Sequence, residues 1–144
     1  MNTCPPQLFM TPTQAALVTQ SFDAIWSVRR PLCEAFYRRF FELVPDTRNL
    51  FPADLERQYL RLMDMIAAIV GALDQGDLFQ SIIRQAGRRH ANFGVKPRHF
   101  DAFGKALIST LDDQLGPAFS PDTRQAWMML YEIVKAEMIK AAVP

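Results

Sequence analysis

The sequence predicts a single all-α domain, and three observations carry that prediction. Apolar residues recur at helical spacing in successive stretches, no run alternates with period two beside Asn-Gly or Asp-Gly turns, and Pro or Gly breaks punctuate the chain at short intervals. With 144 residues and 49% hydrophobic side chains, the chain can bury a continuous core without disulfides or structural metal. The breaks at Pro31, Pro45, Gly76, Gly94 and Gly116 are too short for interdomain linkers, and no internal repeat divides the chain. We expect residues 1–12 to form an N-terminal arm and residues 13–144 one domain.

The elements follow in order. Pro5, Pro6 and Pro12 bracket the arm, after which Ala15, Val18, Phe22 and Ile25 mark a helix from about Thr13 to Ser27. Pro31 suits the first turn of a second helix, whose stripe of Leu32, Phe36, Phe40 and Leu43 stops near Pro45 and which carries Tyr37. Asp46 to Pro52 reads as a tight corner with a short helical turn that sends Leu50 and Phe51 to the interior. From Asp54 as N-cap, helical periodicity runs through Leu62, Met63, Met65, Ile66, Ile69, Val70 and Leu73 to Asp74-Gln75-Gly76, with apolar residues on both faces. A helix from about Leu78 to Asn92, ending at Gly94, sets Ile82, Ile83 and Ala86 beside His90. Lys96-Pro97 opens the next, with Phe100, Phe103, Leu107 and Leu111, ending around Gly116-Pro117. Ser120-Pro121 starts the last, with Ser as cap and Pro in the first turn, through Trp127, Tyr131, Val134 and Met138.

Charge narrows the function. Sixteen basic and fifteen acidic side chains leave a net charge of +1, too small a field to gather nucleic acid or an anionic membrane. Cys4 and Cys33 have no CxxC or zinc spacing, and the N-terminus lacks a basic region followed by a long apolar run. A cytoplasmic protein that takes small neutral ligands is the expectation.

Few residues offer chemistry. His90 shares a helix face with Ala86 and Ile83, four and seven residues earlier, where a flat apolar ligand could lie against it and a neutral imidazole could ligate iron. A core histidine satisfied by a backbone carbonyl is the alternative. Arg88-Arg89 could pair with carboxylates or form a solvated face, and His99 reads as a surface residue in a first turn. Gln58 shares a face with Leu62, Met65 and Ile69 and is either a polar group in an apolar wall or a helix edge. Tyr37 interrupts a Phe-rich helix, either as a ligand contact or as a core aromatic whose hydroxyl finds a carbonyl.

Together these positions resemble bacterial single-domain globins and the globin part of flavohaemoglobins, from about Ala15 to Ala142. Phe36-Tyr37 followed by Arg38-Arg39-Phe40-Phe41 is similar to the family's distal-tyrosine helix, and Leu50-Phe51 after Pro45 to its corner phenylalanine. Gln58, seven residues after Phe51, matches the distal glutamine, and Leu62 the apolar residue one turn on. Gly87 to Val95 resembles the proximal segment, and Ala126-Trp127 with Tyr131 the final helix. The resemblance implies a globin fold, a helical sandwich enclosing haem b, with His90 as the iron ligand. It implies Phe51, Leu62, Ala86, Arg89 and Val95 as further haem contacts, and Tyr37 and Gln58 as the residues that act on the ligand.

The implied function is reversible binding of oxygen, nitric oxide and carbon monoxide, extending to oxidation of nitric oxide to nitrate. The sequence ends at Pro144 with no flavin or nicotinamide domain, so a separate reductase is the expected electron source. Phe100 and Ala142 stand where flavohaemoglobins carry a tyrosine and a glutamate that support the proximal histidine, and Glu137 has the wrong spacing to replace them. A backbone carbonyl is therefore the expected partner of His90. The alternative functions are a haem-based gas sensor acting through a partner protein and a haem-free regulator.

Overall fold

The computed structural model describes residues 10–142. They form helices α1 (Pro12–Ser27), α2 (Arg29–Leu43), α3 (Glu56–Gly71), α4 (Gly76–Asn92), α5 (Pro97–Leu115) and α6 (Pro121–Ala142), with 3₁₀ turns at Pro45–Leu50 and Gly116–Ala118. Among the described residues there is no strand, in agreement with the all-α expectation. Cys4 and most of the expected arm lie outside the described residues. Pro12 already belongs to α1, because Thr11 Oγ1 accepts from the Gln14 N–H and Gln14 Oε1 from the Thr11 N–H, both at 3.0 Å.

Local chemistry sets the other ends. At α6, Ser120 Oγ accepts from the Thr123 N–H at 3.1 Å, the cap expected from Ser120-Pro121. Helix α3 begins at Glu56, two residues after the expected cap, although Asp54 Oδ1 still accepts the Glu56 N–H at 3.0 Å. The expectation that α3 is apolar on both faces is corrected: Leu62, Met63, Ile69 and Val70 are buried while Leu60 is 64% exposed. Leu50 is likewise 41% exposed rather than interior. The chain becomes extended at Phe51 (φ −124°, ψ 150°), where neighbouring side chains diverge, and only Phe51 turns inward.

Two glycines let helices approach closely. A Cβ at Gly87 would sit 2.6 Å from the Met138 carbonyl oxygen and 2.9 Å from its Cα, so α4 and α6 touch backbone to backbone. At Gly104 a Cβ would meet the Tyr131 ring at 2.6 Å, joining α5 to α6. An aromatic spine then crosses the core. Tyr131 stacks on Phe103 (5.9 Å between centroids), Phe103 meets Phe36 edge-on (4.6 Å), and Phe36 meets Tyr37 edge-on (4.9 Å). Full burial of a side chain such as Phe36 contributes about 1.5–3 kcal/mol. Trp127 Nε1 donates to Ser21 Oγ at 2.8 Å and ties α6 to α1. The site residues hang from this frame.

Candidate functional site

Helix α4 presents His90 on its inner face. Ile83 and Ala86 are fully buried and His90 half-buried, as their spacing requires. His90 Nδ1 lies 2.6 Å from the Ala86 carbonyl one turn back, the backbone partner expected in the absence of a tyrosine and glutamate. A carbonyl only accepts, so Nδ1 carries a proton, and in the neutral imidazole Nε2 keeps its lone pair; Nε2 has no hydrogen-bond partner among the described residues.

The end of α4 is fixed just past this ring. Gly94 adopts φ +73°, the Val95 N–H reaches the His90 carbonyl at 3.3 Å, and the Gly94 N–H reaches Ala91 at 3.0 Å. This closing turn folds half-buried Val95 back towards His90. The Phe100 ring lies 6.1 Å from the imidazole, and the Phe100 carbonyl accepts the Tyr131 hydroxyl at 2.6 Å. Arg89 is exposed.

A second wall forms from α2, the corner and α3. Tyr37 is 2% exposed, with Phe41 at 5.8 Å, Phe51 at 5.8 Å and Tyr59 stacked at 5.7 Å. Burial pushes its phenol well above the usual tyrosine range, and hydrogen bonding to Gln58 partly offsets that shift. Gln58 is half-buried and Leu62 buried on the same helix, one turn apart. The structure therefore gathers Tyr37, Phe51 and Gln58 on one side and Ala86, His90 and Val95 on α4 and its closing turn.

Three residues of this region escaped the sequence reading. Tyr59 packs on Tyr37 and falls in line with Leu62, Met63 and Ile66 on α3 and with Leu55 just before it, a spacing that was available to find it. Arg48 holds the corner from within, donating to the carbonyls of Phe51, Pro52 and Ala53 at 3.0–3.2 Å with its guanidinium over the Phe41 ring. His99, expected on the surface, is 5% exposed. Its Nδ1 accepts the Lys96 N–H and its Nε2 reaches Asp46, both at 3.0 Å, while Arg98 reaches the same carboxylate at 2.7 Å. The partner lies 53 residues away, which is why local spacing misplaced this histidine.

A six-helix frame, with a half-buried histidine on the apolar face of α4 and a buried tyrosine beside the corner phenylalanine, directs comparison to haem proteins. The globin family model matches residues 34–138. The chain belongs to the globin family. Neuroglobin of Tetraodon nigroviridis is 31% identical over 137 residues, covering 85% of this chain and 86% of that protein. The flavohemoprotein of Bacillus subtilis (strain 168) is 30% identical over 102 residues, 69% of this globin but only 26% of the longer relative. Among solved structures, a hexacoordinated haem protein from an anhydrobiotic tardigrade superposes with a TM-score of 0.87 at 15% identity, over 98% of this chain and 100% of that one. An engineered carbene transferase from Rhodothermus marinus, whose parent carries a nitric oxide dioxygenase designation, gives 0.78 at 26% identity over 89% of each chain.

Haem is the cofactor of a globin, and the donor set here fits it: one imidazole with a free Nε2 on an apolar helix face. Globins bind diatomic gases such as oxygen, and this chain is a haem-binding, gas-binding globin. No helix among the described residues is long and apolar enough to cross a membrane.

Proposed function

We propose that this globin binds oxygen tightly and reversibly in the cytoplasm, accepts nitric oxide and carbon monoxide at the same position, and oxidises nitric oxide to nitrate with electrons from a separate reductase. The observation that carries the reading is Tyr37: a buried phenol caged by Phe41, Phe51 and Tyr59, the last of them next in sequence to half-buried Gln58. When bound, haem iron supplies an open coordination position and an electron that the gas can share.

The chain's own residues do the rest. His90 would hold the iron through Nε2, oriented by the Ala86 carbonyl on Nδ1. A neutral carbonyl draws less on that proton than a carboxylate would, which favours reversible binding over peroxide activation. Phe51, Leu62, Ala86 and Val95 would pack against the macrocycle, and exposed Arg89 would reach a propionate. Tyr37 O–H and the Gln58 amide N–H would donate to the partial negative charge on bound oxygen. Burial keeps Tyr37 protonated, and therefore a donor, above the usual tyrosine range. Nitric oxide, oxygen and one electron combine to one nitrate, so each turnover consumes one electron from outside.

Rapid mixing of the oxygenated protein with nitric oxide tests the reaction. One nitrate per haem is the expected result. Oxygen release without nitrate would remove the dioxygenase reading and leave the gas-binding one.

A further inference from the structure

The positive charge of this protein is concentrated beside His90. From Leu78 to Phe100 there is no acidic residue, and five cations occur there: Arg84, Arg88, Arg89, Lys96 and Arg98. The whole chain carries only +1. Arg98 is committed to Asp46, whereas among the described residues Arg84, Arg88, Arg89 and Lys96 have no acidic partner within salt-bridge distance. Arg84 and Arg88 are one turn apart on α4 and exposed, on the face opposite Ile83, Ala86 and His90. Phe93, just past the helix, is 66% exposed.

Helix C-termini favour cations, which accounts for Arg88 and Arg89 in the last turns. It does not account for Arg84, eight residues before the helix ends, nor for an exposed phenylalanine at the tip. A basic ridge ending in a bare aromatic ring has the composition of a protein interface.

We propose that the outer face of α4, Arg84 and Arg88 with Phe93 at its end, docks an acidic flavoprotein that delivers the electron. This rests on the proposed function, which requires one electron per turnover. A partner on this face lies across a single helix, a diameter of about 10 Å, from the imidazole. A flavin is the donor chosen because a relative 30% identical over 102 residues is a flavohemoprotein, whose name pairs flavin with haem. In the step, the fully reduced flavin would pass one electron to the haem held by His90 and release one proton to solvent, leaving a flavin oxidised by one electron and a haem reduced by one. Carboxylates around the flavin edge would meet Arg84 and Arg88, which speeds encounter at low salt.

The test uses the haem-loaded protein, reduced flavodoxin as the acidic flavoprotein probe, and two double reversals of equal charge. One is Arg84→Glu with Arg88→Glu. The control is Lys105→Glu with Arg124→Glu, both exposed on α5 and α6. Stopped-flow reduction at low ionic strength should slow about tenfold or more in the α4 variant, with a flattened salt dependence, and change little in the control. NMR shifts caused by oxidised flavodoxin should map to residues 84–93 and vanish in the α4 variant. Arg84→Gln with Arg88→Gln gives an intermediate effect and guards against misfolding of the reversal. Equal slowing by both reversals, or none by either, overturns the docking surface. Dithionite reduction, removal of the excess reductant, oxygenation and then mixing with nitric oxide tests the proposed function without any partner, so the two ideas fail separately.

Discussion

Tyr37 carries the ligand chemistry at the scale of single residues. A hydrogen bond to a charged acceptor contributes about 1.5–3 kcal/mol, so Tyr37→Phe should speed oxygen release about ten- to a hundredfold in flash photolysis, and carbon monoxide release much less. Gln58→Leu should act in the same direction. An unchanged oxygen rate in Tyr37→Phe would place the phenol outside the pocket. Tyr131→Phe makes a different prediction. It leaves the Phe100 carbonyl without its 2.6 Å partner and should cost about 1–3 kcal/mol in chemical denaturation, with gas kinetics little altered. The sequence made part of this legible. Phe100 and Ala142 pointed to a carbonyl partner for His90, which Ala86 supplies. Tyr59 was hidden because Gln58, its neighbour, claimed the reading of that turn.

Helices succeed or fail here at their ends and seams. Pro121 behind Ser120 and Gly94 behind Asn92 announced their boundaries, because capping and positive φ are local requirements that a few residues state. Asp54 misplaced the start of α3, since its carboxylate serves a tight turn before the helix rather than the helix itself. The close approach of α4 to α6 was not legible, because nothing near Gly87 names Met138. Gly87→Ala tests it. The new methyl group meets backbone, which cannot rotate aside, and overpacking of this kind costs about 1–3 kcal/mol. Thermal unfolding should drop, and haem should transfer faster to an apo-acceptor because α4 also positions His90. A variant as stable as the parent would mean the seam relaxes freely.

Across the whole molecule, the corner between α2 and α3 is clasped to the start of α5 by Asp46, Arg98 and His99. The bonds from Arg98, and then His99, hold the Asp46 carboxyl well below the usual carboxylate range. A carboxyl lowered on folding contributes stability above its unfolded value, near the ordinary aspartate range, and loses it as pH falls through the folded value. Acid titration of thermal stability should therefore fall more steeply below about pH 4 for the wild type than for Asp46→Asn. Parallel curves would show that the clasp contributes nothing. The Asp46–His99 link spans 53 residues and joins the corner to the start of α5, so it belongs to the fold and not to any local stretch. The helices could be read from sequence because each repeats a short-range rule, whereas the order Phe51, Gln58, His90 was legible only through the resemblance to globins. The burial of His99 could not. The central claim, that His90 holds haem iron, is tested most directly by visible spectra of the ferrous protein and His90→Gly, each with and without imidazole. The account predicts a five- or six-coordinate histidine-ligated spectrum in the wild type, its loss in His90→Gly, and its return with imidazole; a His90→Gly spectrum identical to the wild type without imidazole would contradict it.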